Sequence, residues 1–174
     1  QSQQLIFLFG NIIGQQTVEI KGDVYSAFGN VNFSNMSVGS VSSNVYYNAS
    51  KIFTNSSQVP VAGTIHPLSA TSFNGKSYIP DVFPVIDHSV ASYTAGWSGT
   101  HVVSQNTSYG SLNVLKELIV DTTAGDIFIN VNTLTLNSYE QPGIVIRGNH
   151  NLYLQVNSNF TVNGKINAGG DKDK

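Results

Sequence analysis

The sequence contains no cysteine, so neither a disulfide framework nor a thiolate metal site is available to this chain. Charge is also scarce: Asp, Glu, Lys and Arg make up 10% of the 174 residues, against a typical share of about 25%. The formal net charge of −2 provides no basic field for nucleic acid or an anionic membrane surface. Folding must therefore rely on the apolar core and on backbone pairing, and acid finds few carboxylates to protonate.

Long apolar runs are missing as well, and a bilayer span needs about 20 apolar residues. The run Leu5 to Phe9 has five large apolar residues, with no Lys or Arg before it and no small-residue cleavage site after it. It therefore differs from a signal peptide. Because the sequence opens at Gln1 without Met, we expect a leader to have been removed. We predict an extracellular protein at the cell surface, with no membrane span.

Uncharged polar residues take the place of charge, with 19 Asn, 21 Ser and 12 Thr. They separate short apolar alternations such as "GDIFINV", "NTLTLNS" and "HNLYLQV", a pattern typical of an all-β domain with short strands. The segment "GSLNVLKELIVD" fits a helix by the spacing of Leu112, Leu115 and Leu118. The β-branched pair Ile119 and Val120 favours a strand there.

Two architectures fit these strands: a β-sandwich or jelly roll, and a short-stranded β-solenoid. The stretch "IVIRGNHNLYLQVNSNFTVNGKINAGG" reads as one solenoid coil and the start of another, with Asn and Gly at left-handed corners. In its short strands and its Asn- and Gly-containing turns, the chain resembles the β-helical regions of archaeal and bacterial surface proteins, over roughly residues 17–60 and 112–170. The sequence leaves the choice between the two architectures open.

Catalytic signals are weak. Asp87, His88 and Ser89 are the residue types of a hydrolase triad, but consecutive residues point in different directions and no G-x-S-x-G motif occurs. The histidines lack metal-ligand spacing, and Asp171 and Asp173 in "GGDKDK" are neutralised by lysines. We therefore predict a protein that is not an enzyme, with no catalytic residues, no metal site and no cofactor.

Six N-x-[ST] sequons predict N-linked glycans on exposed loops; they are Asn32, Asn35, Asn48, Asn55, Asn106 and Asn159. An alternative function is a carbohydrate-binding or carbohydrate-active extracellular β-domain. Stacking of sugars on Trp97, Tyr93 and Tyr109 would serve binding, and convergence of Asp81 with Asp87 would serve glycoside hydrolysis.

The N-terminal run admits two interpretations: an internal strand of its own sheet, or a strand donated to a neighbouring copy. The apolar run between "QSQQ" and "GNIIGQQ" divides the chain into a tail, residues 1–16, and an all-β head, residues 17–174. With the sequons, the low charge and the missing cysteine, the chain resembles a subunit of the archaeal donor-strand surface filaments called threads or bundling pili. The resemblance implies a head-to-tail homopolymer with a sandwich-like head. Its subunit interface would be Leu5, Ile6, Phe7, Leu8, Phe9, Ile12 and Ile13.

Overall fold

The computed structural model describes residues 5–8, 11–21, 24–26, 29–35, 38–41, 44–55, 61, 63–69, 92–96, 100–139 and 141–167. This part of the chain is all-β and has no helix, as the strand-length alternations predict. Its strands are β1 (Leu5–Leu8), β2 (Asn11–Ile20), β3 (Val24–Ser26), β4 (Val31–Asn32), β5 (Val38–Val41), β6 (Val45–Asn48), β7 (Phe53–Thr54), β8 (Ile65–Leu68), β9 (Tyr93–Ala95), β10 (His101–Val103), β11 (Thr107–Val114), β12 (Glu117–Asp121), β13 (Ile127–Leu136), β14 (Gly143–Arg147), β15 (Leu152–Val156) and β16 (Asn159–Ile166).

Strand pairing shows that the architecture is a β-solenoid, the second of the two alternatives. Each pairing between the strands listed above is parallel. A sandwich or jelly roll would consist of antiparallel pairs. Parallel neighbours arise here because the chain returns to the same side of the molecule once per coil.

Two stacks of strands run the length of the solenoid and are named face 1 and face 2. The ladder of face 1 has the register Tyr93, Leu112, Leu134, Phe160, Ile12, Val31, Phe53. The ladder of face 2 has the register His101, Leu118, Ile144, Ile166, Ile20, Val41, Val61. The third stack, face 3, has two runs: Thr107, Ile129, Leu154, Phe7 and then Val24, Val45, Ile65.

The chain visits the faces in the fixed order 3, 1, 2, but its first strand lies in the middle of the stack. β1 pairs with β15, and β2 pairs with β16. From this junction β3 to β8 extend toward one end of the solenoid, with β3 lying next to β1. The stack on the other side of the junction ends at β9 and β10. Elements from opposite ends of the strand order therefore meet at the centre.

The core is a column of aliphatic side chains that fills the inside of the coils. Interior ladder positions are fully buried, as at Leu134, Ile146, Ile20 and Val45. Side chains alternate between core and exterior along each strand, and β15 shows this as Leu152, Leu154 and Val156 inside. Short strands are enough to bury this core, because each coil is covered by the coils above and below it.

The segment "GSLNVLKELIVD" forms two strands rather than one. β11 ends at Val114, the chain turns at Leu115 and Lys116, and β12 begins at Glu117. Leu112 and Leu118 are both buried, although they lie on different faces of the solenoid. The strand prediction for this segment is confirmed, and the turn explains why its apolar spacing is irregular.

Corners use glycine and asparagine in different ways. Gly143 has φ +71°, and a Cβ atom there would lie 2.0 Å from the backbone oxygen of Lys165, so this corner needs glycine. Among described non-glycine residues, positive φ occurs at Asn167 and Tyr139. Most corner asparagines therefore do not serve as left-handed residues, which corrects the role expected for them. They act through their side chains instead.

Candidate functional site: the strand junction and the aromatic columns

The predicted interface residues lie at the junction in the middle of the solenoid. Leu5–Leu8 form β1 in parallel register with Leu152–Gln155 of β15. Ile12 is 2% exposed and stands in the face 1 ladder between Phe160 and Val31. Ile13 is half-buried on the outer side, and Phe9 lies outside the described residues.

The first half of β2 fills a slot between two strands of its own chain. Asn11–Gly14 pair with Asn159–Val162 of β16 on one side, and Ile12 and Ile13 pair with β4 on the other. The Asn11 amide nitrogen donates to the Ser158 oxygen at 2.9 Å, and the Ile12 nitrogen donates to the Asn30 oxygen at 2.9 Å. Without these residues, β16 would keep only β13 as a partner at this level, and β4 would keep only β7.

A register shift divides β2 at the level of Val162 to Gly164, because Gly14 is paired with Val162 and Val18 with Gly164. The exposed residues Gln15 and Gln16 form the corner between the two halves. The second half, Thr17–Ile20, pairs with β16 and β5 on face 2. The tail boundary predicted between residues 16 and 17 thus falls at a corner inside one continuous strand, β2.

Asparagine ladders cross the junction at two corners. On the outside, Asn11 Nδ2 donates to Asn159 Oδ1 at 3.1 Å, and Asn11 Oδ1 accepts from the Asn30 nitrogen at 2.9 Å. Inside the fold, Asn163 Nδ2 donates to Asn137 Oδ1 at 3.1 Å, and Asn163 Oδ1 accepts from the Thr17 nitrogen at 3.0 Å. Sequence reasoning did not identify these residues; their signal was the recurrence of Asn at coil corners.

The sequon asparagines differ in how accessible they are. Asn35, Asn55, Asn106 and Asn159 are exposed, and Asn32 is half-buried. Asn48 is 7% exposed, and its Oδ1 accepts from the Ser50 nitrogen at 2.9 Å and from Ser50 Oγ at 2.8 Å. A glycan needs an accessible amide, so the exposed sites suit modification better than Asn48 does.

Part of the predicted sugar platform is assembled at one end of the solenoid. The Tyr93 ring lies 6.0 Å from Tyr109 and stacks on His101 at 4.1 Å between centroids. His101 Nε2 is 3.3 Å from the Tyr109 hydroxyl. Burial lowers the pKa of His101 below its ordinary value of 6.5. Burial, and then the charge of Tyr93, raises the pKa of Tyr109. Trp97 lies outside the described residues.

Other aromatic side chains form columns on the outer side of face 3. Phe128 and Tyr153 stack at 4.7 Å with an interplanar angle of 9°, and Tyr46 and His66 stack at 4.8 Å with 11°. Within each pair, one face of each ring is covered by its partner, so the pairs link neighbouring coils.

The candidate catalytic residues Asp81, Asp87, His88 and Ser89, and the tail residues Asp171 and Asp173, lie outside the described residues. Within the described ranges, no group of three or more His, Asp or Glu side chains converges to hold a metal ion. Each described histidine has its own surroundings: His150 Nδ1, for example, is 2.8 Å from the Thr122 oxygen. Nor does any helix in these ranges have the length and apolarity to cross a membrane.

No protein-family model, curated protein or solved structure matches the chain.

Proposed function

We propose that the protein is a structural subunit of an extracellular cell-surface filament that polymerises head to tail by strand donation. The observation that carries the proposal is the position of Asn11–Gly14 in a slot between β16 and β4 of the same solenoid. A strand that is paired on both sides within one chain can be supplied by a second copy through the same hydrogen bonds. In such a polymer each subunit fills the slot of its neighbour.

The slot offers both backbone pairing and an apolar site. Ile12 enters the core between Phe160 and Val31, and burying an isoleucine side chain contributes roughly 1.5–3 kcal/mol. The pairing of β1 with β15 adds further backbone hydrogen bonds on face 3. Exchange between copies needs a hinge, and the exposed corner at Gln15 and Gln16 supplies one. Strand donation therefore requires opening of this corner and release of the pairs with β15, β16 and β4.

The extracellular placement rests on composition. Because the chain has no cysteine, no disulfide makes the stability of the fold depend on the redox state of its surroundings. The outer surface is rich in Asn, Ser and Thr, and four sequons are exposed. On this proposal N-linked glycans at those four sites face outward from the filament, whereas Asn48 stays unmodified because its side chain is buried.

Phe7→Asp tests strand donation, because it places an unpaired charge in the strand that the neighbour would receive, and burying such a charge is costly. We expect Phe7→Asp to reduce filament formation in negative-stain microscopy while circular dichroism still reports a folded β-protein. The matched control is Asn149→Asp, which places the same charge at an exposed corner outside β1 and β2 and should leave filament formation unchanged.

Deletion of residues 1–16 sharpens the test. The truncated protein should stay folded with an open slot, and a synthetic peptide of residues 1–16 should raise its melting temperature. If the truncated protein is unfolded and the peptide has no effect, these residues belong to the core of their own chain. Filament formation by strand donation is then rejected.

A further inference from the structure

At the ends of the described solenoid, two ladder positions are exposed that are buried in the adjacent coil. Among the described residues, the exposed large hydrophobic side chains are Ile52 (65%), Val102 (50%), Tyr139 (48%), Tyr93 (37%) and Ile65 (36%). Four of these five lie on the outermost coils, next to or within β7 and β8 at one end and β9 and β10 at the other. Tyr139 lies instead at a corner beyond β13.

Tyr93 and Ile65 are exposed although their ladder neighbours are buried, and within the described residues no strand pairs beyond β9 or β8 on these ladders. Tyr93 occupies the face 1 ladder directly beside Leu112, which is 1% exposed. Ile65 occupies face 3 directly beside Val45, which is fully buried. Each would be covered in the same way if one more coil followed. Exposed apolar surface of this kind marks an interaction site.

The backbone at the two ends is complementary. Within the described residues, no further strand pairs with the outer edges of β7 and β8 or of β9 and β10. Such edges are templates for pairing with another chain. Because all pairs are parallel, the β7–β8 end of one copy can continue in parallel only onto the β9–β10 end of another. The contact is therefore heterologous and can propagate without closing.

The order of the faces continues from the β7–β8 end of one copy to the β9–β10 end of another. β8, the last strand of the N-terminal part, lies on face 3, and β9 lies on face 1. The step from face 3 to face 1 is the one that the chain takes from β1 to β2. A second copy that begins with β9 directly after β8 would thus keep every face aligned with its counterpart.

We propose that copies of this chain stack end to end, with the β7–β8 end of one subunit pairing with the β9–β10 end of the next. The ladders then continue as Phe53 to Tyr93 on face 1, Val61 to His101 on face 2 and Ile65 to Thr107 on face 3. Faces 1 and 2 dominate the contact, because Pro67 in β8 has no amide hydrogen to donate. This surface is separate from the central slot, so it does not depend on strand donation.

The experiment blocks one end at a time in the full-length chain that also carries Phe7→Asp, so that any long assemblies depend on the ends. In that chain, Ile65→Lys places a charge at the β8 end and Tyr93→Lys places one at the β9 end, and each should shift sedimentation from long assemblies to monomer. The matched control is Tyr139→Lys, which changes an equally exposed aromatic side chain away from both ends. It should still give long assemblies.

Mixing the two end variants gives the decisive result. Each keeps one intact end, so an equimolar mixture should form heterodimers and nothing longer. Circular dichroism checks folding, and Val102→Lys replaces Tyr93→Lys if the latter does not fold. Long assemblies from either variant alone, or a mixture that stays monomeric, would overturn end-to-end stacking. A Phe7→Asp protein that is monomeric before either end is blocked would leave strand donation standing and reject this second contact.

Discussion

The N-terminal part of the solenoid (β3–β8) and its C-terminal part (β9–β16) form the same kind of coil, but they differ in strand length and in the size of their buried side chains. In the C-terminal part, β11, β13 and β16 have 8, 10 and 8 residues, and each continues around a corner from one face to the next. In the N-terminal part, β4 and β7 have 2 residues each. The buried ladder residues are mainly Leu and Ile in the first case, and largely Val from β3 onward in the second.

The comparison shows how stability can differ along a fold of uniform design. Each coil of a solenoid contacts only its neighbours, so stability is roughly a sum of coil and interface contributions. Smaller side chains and shorter strands bury less apolar area and pair fewer backbone groups per coil. We infer that β3–β8 open more easily than β11–β16 and depend on the junction with β16.

The largest expected effect comes from the centre of the C-terminal part. Leu134→Ala removes a fully buried side chain from the face 1 ladder and should lower the free energy of unfolding by about 2–5 kcal/mol. Val31→Ala in the N-terminal part removes less, about 2 kcal/mol at about 0.8 kcal/mol per methylene plus a small cavity. Urea denaturation of the two variants measures the difference.

Hydrogen exchange with the same variants separates local from global opening. Val31→Ala should reduce protection over β3–β8 and leave β11–β15 protected, whereas Leu134→Ala should reduce protection throughout. Equal losses over the whole chain in both variants would show that the two parts unfold as one unit, and the inferred difference would be wrong.

An intermediate effect is expected from the ladder that joins the two parts. Asn163 is 4% exposed, and Asn163→Ala leaves the Thr17 amide and Asn137 Oδ1 without this partner. The expected loss is about 1–3 kcal/mol. Asn11→Ala removes the exposed ladder at the neighbouring corner, where water replaces the bonds, and should cost less. Equal losses from the two variants, measured by thermal unfolding, would contradict a role for burial.

The smallest effect concerns pH at the β9–β10 end. Burial holds the pKa of His101 below 6.5 in the folded protein, so protonation favours the unfolded chain. The free energy of unfolding should therefore decrease as pH falls through 6.5 toward the pKa of His101 in the folded protein. Urea midpoints at pH 7 and pH 5 should differ less in His101→Gln than in the unchanged protein. An identical pH dependence in both would show that the decline has another source.

The sequence predicted the all-β class and also the extent of one solenoid coil. The stretch from Ile144 to Ile166 forms β14, β15 and β16, one full coil and the start of another, as its apolar spacing indicates. Asn163 and Asn11 were missed as ladder residues because a side-chain hydrogen bond between coils depends on which coils are neighbours. No spacing within the sequence reveals a partner that lies 146 residues away in the chain, as Thr17 lies from Asn163.

By itself, the sequence determined composition and local alternation. These act over a few residues, so Leu152–Val156 could be read directly as a short strand. The stretches "GDIFINV" and "NTLTLNS" read as two short strands, but they form the single strand Ile127–Leu136. The tertiary structure decided solenoid against sandwich, since both satisfy the same alternation and differ only in which strands pair. It also decided that β1 and β2 stack on β15 and β16 at the centre. That contact between distant segments depends on the open edge and core column of a neighbouring coil, which exist only once the coils have formed.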